Sequence, residues 1–129
     1  MQPLAIEIED LWFSYNDHPV LQEVNLKVAE KEFLAVLGPN GSGKTTLLKI
    51  MLGILAPKRG SVRVFGQEPH KVVDRIGYVP QDISINKGFP ISVFDATLMG
   101  RLGHAGRAWH YSAQDRMMAQ EALEKVGMW

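Results

Sequence analysis

Gly38-Pro39-Asn40-Gly41-Ser42-Gly43-Lys44-Thr45 places three glycines ahead of a lysine and a hydroxyl residue and fills every fixed position of the pattern G-x-x-x-x-G-K-[ST]. The short apolar run Phe33-Leu34-Ala35-Val36-Leu37 ends at the first glycine, and Thr46-Leu47-Leu48-Lys49-Ile50-Met51-Leu52 behind the threonine has helical composition. Strand, loop and helix therefore follow in the order the pattern requires. The residue types suit a polyphosphate. Glycine lets the backbone turn its amides inward, and the unpaired N–H groups and positive dipole end of the new helix point at the same anion. Lys44 supplies a mobile positive charge for the β and γ phosphates, and the Thr45 hydroxyl is placed to ligate magnesium. A plain glycine-rich turn capping a helix explains the glycines and Ser42 but gives no reason for Lys44-Thr45.

Working outward, the chain has 129 residues, the length of one domain. Its 46% hydrophobic content is ordinary for a globular protein. Fourteen basic residues balance 14 acidic ones, and neither sign forms a long run, which argues against nucleic acid as the main partner. With no cysteine, disulfides and thiolate metal sites are excluded, which suits a reducing, cytosolic setting. The apolar runs fall far short of the ~20 residues of a membrane helix, so a membrane association would run through a partner.

Upstream of the loop, Leu4, Ile6 and Ile8 alternate with Glu7 and Glu9 as in a half-buried strand. Asn16-Asp17-His18-Pro19 reads as a turn, and Val20 to Val28 as a second strand of the same antiparallel sheet. Leu11-Trp12-Phe13-Ser14-Tyr15 carries three aromatics. Trp12 and Phe13 are expected in the core, whereas Tyr15, at a strand end, has the choice of packing there or stacking on a base.

Downstream, Ser61 to Gly66 alternates as a strand after the break Ala56 to Gly60, and Ile76-Gly77-Tyr78-Val79 is a further candidate strand, closed by Pro80-Gln81. Ser92-Val93-Phe94-Asp95 has the form of a helix start, the helix running to about Arg101 before the loop Gly103-His104-Ala105-Gly106. Ser112-Ala113-Gln114-Asp115 repeats the signal. A helix from about Ala113 to Val126 places Met118, Ala122 and Val126 on one stripe, core or partner surface, with Leu123 beside it and Gly127 as its stop. The four histidines, 18, 70, 104 and 110, have no ligand spacing and are expected in solvent.

Taken together, Tyr15, the loop Gly38 to Thr45 and the segment Tyr78-Val79-Pro80-Gln81 resemble, in order and over essentially the whole chain, the ATP-binding subunits of ABC transporters. The resemblance implies an α/β fold, a P-loop NTPase of ABC type. It would comprise an N-terminal antiparallel β subdomain, a partial parallel core sheet and the start of a helical subdomain. The ATP-binding core would cover about 1–87 and the start of the helical subdomain about 88–129. It implies ATP and Mg2+ as cofactors, with Tyr15 stacked on adenine and Gly38, Asn40, Gly41, Ser42, Gly43, Lys44, Thr45 and Thr46 around the phosphates. Thr45 and Gln81 would serve the magnesium, and Lys44 and Gln81 the catalysis. Gln81 would also relay the nucleotide state to a transmembrane permease subunit. A second ATPase subunit would complete a homodimer on the cytoplasmic face of the membrane, with no nucleic acid involved. Gly88-Phe89-Pro90-Ile91-Ser92-Val93 with Leu98-Met99-Gly100-Arg101 looks most like the ATPases of zinc, manganese and iron-chelate importers.

The departures from the family matter equally. A Leu-Ser-Gly-Gly-type signature, an apolar strand ending in Asp-Glu and a later histidine are not in the sequence, and Ile6-Glu7-Ile8-Glu9-Asp10 precedes the loop and alternates, so it does not stand in for the acidic strand. The chain therefore reads as the truncated N-terminal half of a longer ATPase, inactive or very weak alone. It is expected to expose an unpaired edge and apolar surface, and so to self-associate or order only partly. The alternatives are another P-loop enzyme such as a GTPase or small-molecule kinase, a non-catalytic permease-interaction fragment, and an ABC protein acting on nucleic acid or ribosomes.

Overall fold

The computed structural model describes residues 1–82, 84, 88–103 and 110–129. They form two compact units, Met1–Tyr78 and Val79–Trp129.

The first unit is built on β1 (Leu4–Tyr15), β2 (His18–Ala29) and β3 (Arg59–Val64), an antiparallel sheet in the order β2-β1-β3. Asn16 at φ 51° turns β1 into β2, with Tyr15 paired to His18. The inward residues of β1 change parity along the strand, Ile6 and Ile8 giving way to Leu11 and Phe13. The change is accommodated by a bulge between Ile8 and Leu11 that holds Asp10 at φ 45°. The β2 strand matches it. Glu23 sits at φ 51° between Leu21 and Val24, and the Asn25 carboxamide seals the pair by accepting from the Asp10 N–H at 2.9 Å and donating to the Glu23 carbonyl at 3.1 Å.

Against this face lies α1 (Lys44–Met51), whose Leu47, Ile50 and Met51 recur at helical spacing and join Ile8, Leu11, Phe13, Leu21 and Val62 in one buried cluster. Phe13 is in the core as expected. Trp12 is only half-buried: its indole N–H donates to the Asp10 carboxylate at 2.8 Å, and the Arg59 guanidinium lies 5.6 Å over its ring. Beyond β3 the chain turns at Phe65 and Gly66, both at positive φ, and the Arg75 guanidinium covers the Phe65 ring at 4.0 Å.

Two expected strands do not form. Phe33 to Leu37 carries no strand pairing, and neither does Ile76 to Val79. A strand exists only through its ladder, and a run that is apolar on both faces needs neighbours on both edges. Among the described residues no strand offers itself to either run, so the expected parallel sheet is present in sequence but not as a ladder. Phe33 and Leu37 are consequently 92% and 89% exposed.

In the second unit, α2 (Val93–Met99) starts at Ser92, whose hydroxyl accepts from the Asp95 N–H, and ends two residues before Arg101. The following α3 (Ala113–Lys125) starts on a full capping box between Ser112 and Asp115. The expected stripe of Met118, Ala122 and Val126 is exposed. The buried face is Asp115, Ala119 and Leu123, and on it the Arg101 Nε donates to the Asp115 carboxylate at 2.9 Å. Two hydrogen-bond donors, Arg101 and then Ser112, hold the Asp115 carboxyl below its ordinary range. His18, His70 and His110 are exposed, and His104 with the loop to residue 106 lies outside the described residues.

Candidate functional site

The glycine loop joins the uncovered run 33–37 to α1, and its shape follows from two left-handed residues, Gly41 at φ 83° and Gly43 at φ 91°. Gly43 is the N-cap of α1. Leu47 is the first helical residue whose N–H meets a backbone acceptor, the Gly43 carbonyl at 2.9 Å. No side chain caps the turn before it, and that turn holds no acidic residue. The helices α2 and α3 both begin on a serine cap. Thus α1 presents its first-turn donors and positive dipole end to whatever the loop encloses, which is the donor set of an anion cradle.

Lys44, at the first helical position, reaches back over the loop. Its ammonium donates to the Gly38 carbonyl at 2.6 Å, the Pro39 carbonyl at 2.7 Å and the Ser42 hydroxyl at 3.2 Å. The lysine side chain is thereby folded back onto the loop. Gly38 keeps this closure open, since a Cβ there would stand 2.8 Å from the Ser42 Oγ. Ser42 in turn donates its N–H to the Pro39 carbonyl at 3.2 Å. Asn40 and Thr45 are exposed at the rim, and Thr46 is buried.

Tyr15 arrives from the end of β1. Its ring meets Phe13 edge-on at 5.0 Å, its hydroxyl lies 3.4 Å from the Thr46 Oγ1, and the side chain remains 44% exposed. An aromatic face is therefore available beside the first turn of α1. The first unit brings together Tyr15 and residues 38–46 from segments far apart in sequence. Gln81 is exposed and belongs to the second unit.

Sequence reasoning did not find the support from β2: a Cβ on Gly43 would lie 2.9 Å from the Leu21 side chain and 3.2 Å from the Val20 carbonyl. Nor did it find the Tyr15–Thr46 contact. Only the pairing of β1 with β2 creates those neighbours, and no local spacing signals them.

A glycine loop running from an apolar segment into an uncapped helix, with a lysine folded over it, defines the P-loop class of fold. Comparison with known proteins narrows the class. A family model described as ABC transporter matches residues 21–129. The zinc transport system ATP-binding protein TroB of Treponema pallidum is 41% identical over 124 residues, which are 96% of this chain and 47% of TroB. The manganese transport system ATP-binding protein MntB of Bacillus subtilis is 40% identical over 123 residues, 95% of this chain and 49% of MntB. Among solved structures, CbiO1 of Clostridium perfringens, part of the ABC transporter complex CbiONQ, superposes with a TM-score of 0.79 at 27% identity, covering 98% of this chain and 52% of CbiO1. The chain belongs to the ABC transporter ATP-binding family, and it spans about half the length of the curated relatives it matches.

Proposed function

We propose that this chain binds ATP with magnesium in the loop Gly38 to Thr46 and forms part of the ATPase that energises an ABC transporter, with metal-ion import as the task. The observation that carries the reading is the uncapped first turn of α1 beneath the Lys44 ammonium. Its donors are arranged for a polyanion and are satisfied by no side chain of the loop. The amides of the loop, with Gly38, Asn40, Gly41, Ser42, Gly43 and Thr46, would enclose the phosphates, Lys44 would neutralise their charge, and Tyr15 would lie on the adenine.

Bound ATP supplies the phosphoryl group, and magnesium shields its charge. The residues of this chain bind and orient the nucleotide, with Thr45 as an oxygen donor toward the cation. The metal-import assignment is supported by relatives named for zinc and manganese transport. On this reading the partners are a transmembrane permease subunit and a second ATPase subunit, on the cytoplasmic face of the membrane. Among the described residues no helix is long and apolar enough to cross a membrane.

A second reading, a permease-binding module without catalysis, is favoured by the exposed Met118, Ala122 and Val126 on α3. Calorimetric titration with ATP and magnesium separates the two. Saturable binding is expected, and Lys44→Ala is expected to abolish it. Unchanged affinity in that variant would refute the assignment.

A further inference from the structure

Tyr15 and the glycine loop receive the two ends of a nucleotide, its base and its phosphates, and leave the ribose between them without a partner. Tyr15 turns its side chain toward α1, since its hydroxyl lies 3.4 Å from the Thr46 Oγ1. Directly opposite it across the hairpin stands His18. Residues paired in this way share one face of the sheet, with Cβ atoms about 4.5–5.5 Å apart. Val20 follows on the same face of β2 by the period of a strand, and it reaches the loop: a Cβ on Gly43 would lie 3.2 Å from the Val20 Cγ1. The row from His18 to Val20 therefore runs from the aromatic face to the phosphate loop, alongside the path a ribose takes between base and phosphates.

Within that row only His18 can hydrogen-bond through its side chain. Val20 is apolar, and the Tyr15 hydroxyl already meets Thr46. His18 is exposed, and among the described residues its imidazole has no hydrogen bond or ion pair. A neutral imidazole carries one donor and one acceptor nitrogen, the complement of a hydroxyl, which both donates and accepts. The other parts of a nucleotide are already served, the base by the Tyr15 ring and the phosphate charge by Lys44 and the free amides of α1. Asn16 and Asp17 form the apex of the turn, beyond the row.

We propose that His18 hydrogen-bonds the ribose hydroxyls of the bound nucleotide and makes the site prefer ribonucleoside over deoxyribonucleoside triphosphates. The proposal rests on the nucleotide reading above and adds to it a residue and a selectivity. The test is calorimetric titration of the full chain and of His18→Ala with ATP, 2′-deoxyATP, 3′-deoxyATP and inorganic tripolyphosphate, each with magnesium. One hydrogen bond of ordinary strength corresponds to about three- to tenfold in affinity. The parent is expected to bind ATP tighter by that factor than at least one of the deoxy analogues. His18→Ala is expected to lose the same factor for ATP and nothing for that analogue, because variant and analogue remove the same contact.

Tripolyphosphate, which has no ribose, is expected to bind parent and variant equally. His18→Gln, which keeps a donor and an acceptor, should recover part of the preference, and Asp17→Ala should retain all of it. Where His18→Ala disturbs the hairpin, His18→Phe keeps the ring without its nitrogens and allows the same comparison. A parent indifferent to the ribose hydroxyls, or equal losses for ATP, both analogues and tripolyphosphate in the variants, would overturn the proposal. Either of those results leaves ATP binding and its loss in Lys44→Ala standing. A parent that binds no nucleotide overturns the nucleotide reading itself, and the role of His18 with it.

Discussion

Replacing the loop glycines by alanine one at a time separates what the backbone demands from what packing demands. Gly43 faces both demands. At φ 91° an alanine bears the left-handed penalty of about 1–2 kcal/mol. Its Cβ would also press to 2.9 Å from Leu21 and 3.2 Å from the Val20 carbonyl, which is backbone in a paired strand and yields little. Overpacking of that kind costs about 1–3 kcal/mol, for a total of about 2–5 kcal/mol. Gly41 at φ 83° meets no atom within 4 Å, so Gly41→Ala costs the backbone penalty alone, about 1–2 kcal/mol. Gly38 has no left-handed φ, and the one atom inside contact distance is the Ser42 hydroxyl, which rotates away; the cost is below about 1 kcal/mol. Urea unfolding followed by circular dichroism should therefore rank stability losses as Gly43→Ala, then Gly41→Ala, then Gly38→Ala. Pairing Gly38→Ala with Ser42→Ala should remove most of the smallest. If Gly41→Ala costs as much as Gly43→Ala, β2 does not support the loop and the packing argument fails.

Tyr15→Ala should weaken ATP binding by ~1–3 kcal/mol through loss of the stacking face. Tyr15→Phe, which forfeits only the 3.4 Å contact to the Thr46 hydroxyl, should stay close to the parent by the same calorimetry; equal losses in both would remove the stacking role. Asp115 titrates below its ordinary range because Arg101 and Ser112 donate to its carboxylate. Its contribution is therefore complete above the unfolded value of about 4 and disappears as pH falls through the lower folded value. Unfolding measured across that interval should show α3 losing stability on acidification in the parent. Asp115→Asn should be less stable at neutral pH and nearly flat over the same range, and an identical slope in both would exclude Asp115 as the group responsible.

The antiparallel sheet and the helices were legible in the sequence because each is specified locally. Alternation, the Asn16-Asp17 turn, the Ser92 and Ser112 caps and the glycine loop all act over a few residues. What was not legible depends on partners. Phe33 to Leu37 and Ile76 to Val79 have the composition of strands, yet composition states only what a segment does when a neighbour pairs with it, and none is present among the described residues. At α3 the spacing left core and partner surface both open for Met118, Ala122 and Val126; these residues are exposed, and the buried side carries Ala119, Leu123 and the Asp115 carboxylate paired with Arg101, a pairing that hydrophobic spacing does not signal.

For the nucleotide loop the order of causes runs the other way. Its conformation is dictated by Gly41 and Gly43, so the chemistry of Lys44 and Thr45 could be read from the chain before any neighbour was known. The neighbours then determine how firmly the loop is held. Gly43 is wedged on Val20 and Leu21, and Tyr15 rests against the buried Thr46, both supplied by the β1–β2 hairpin on which α1 packs. The sheet thus supports the helix whose exposed end faces the anion, and a change at Val20 or Leu21 of β2, neither of them a proposed phosphate ligand, should be felt in nucleotide affinity through Gly43.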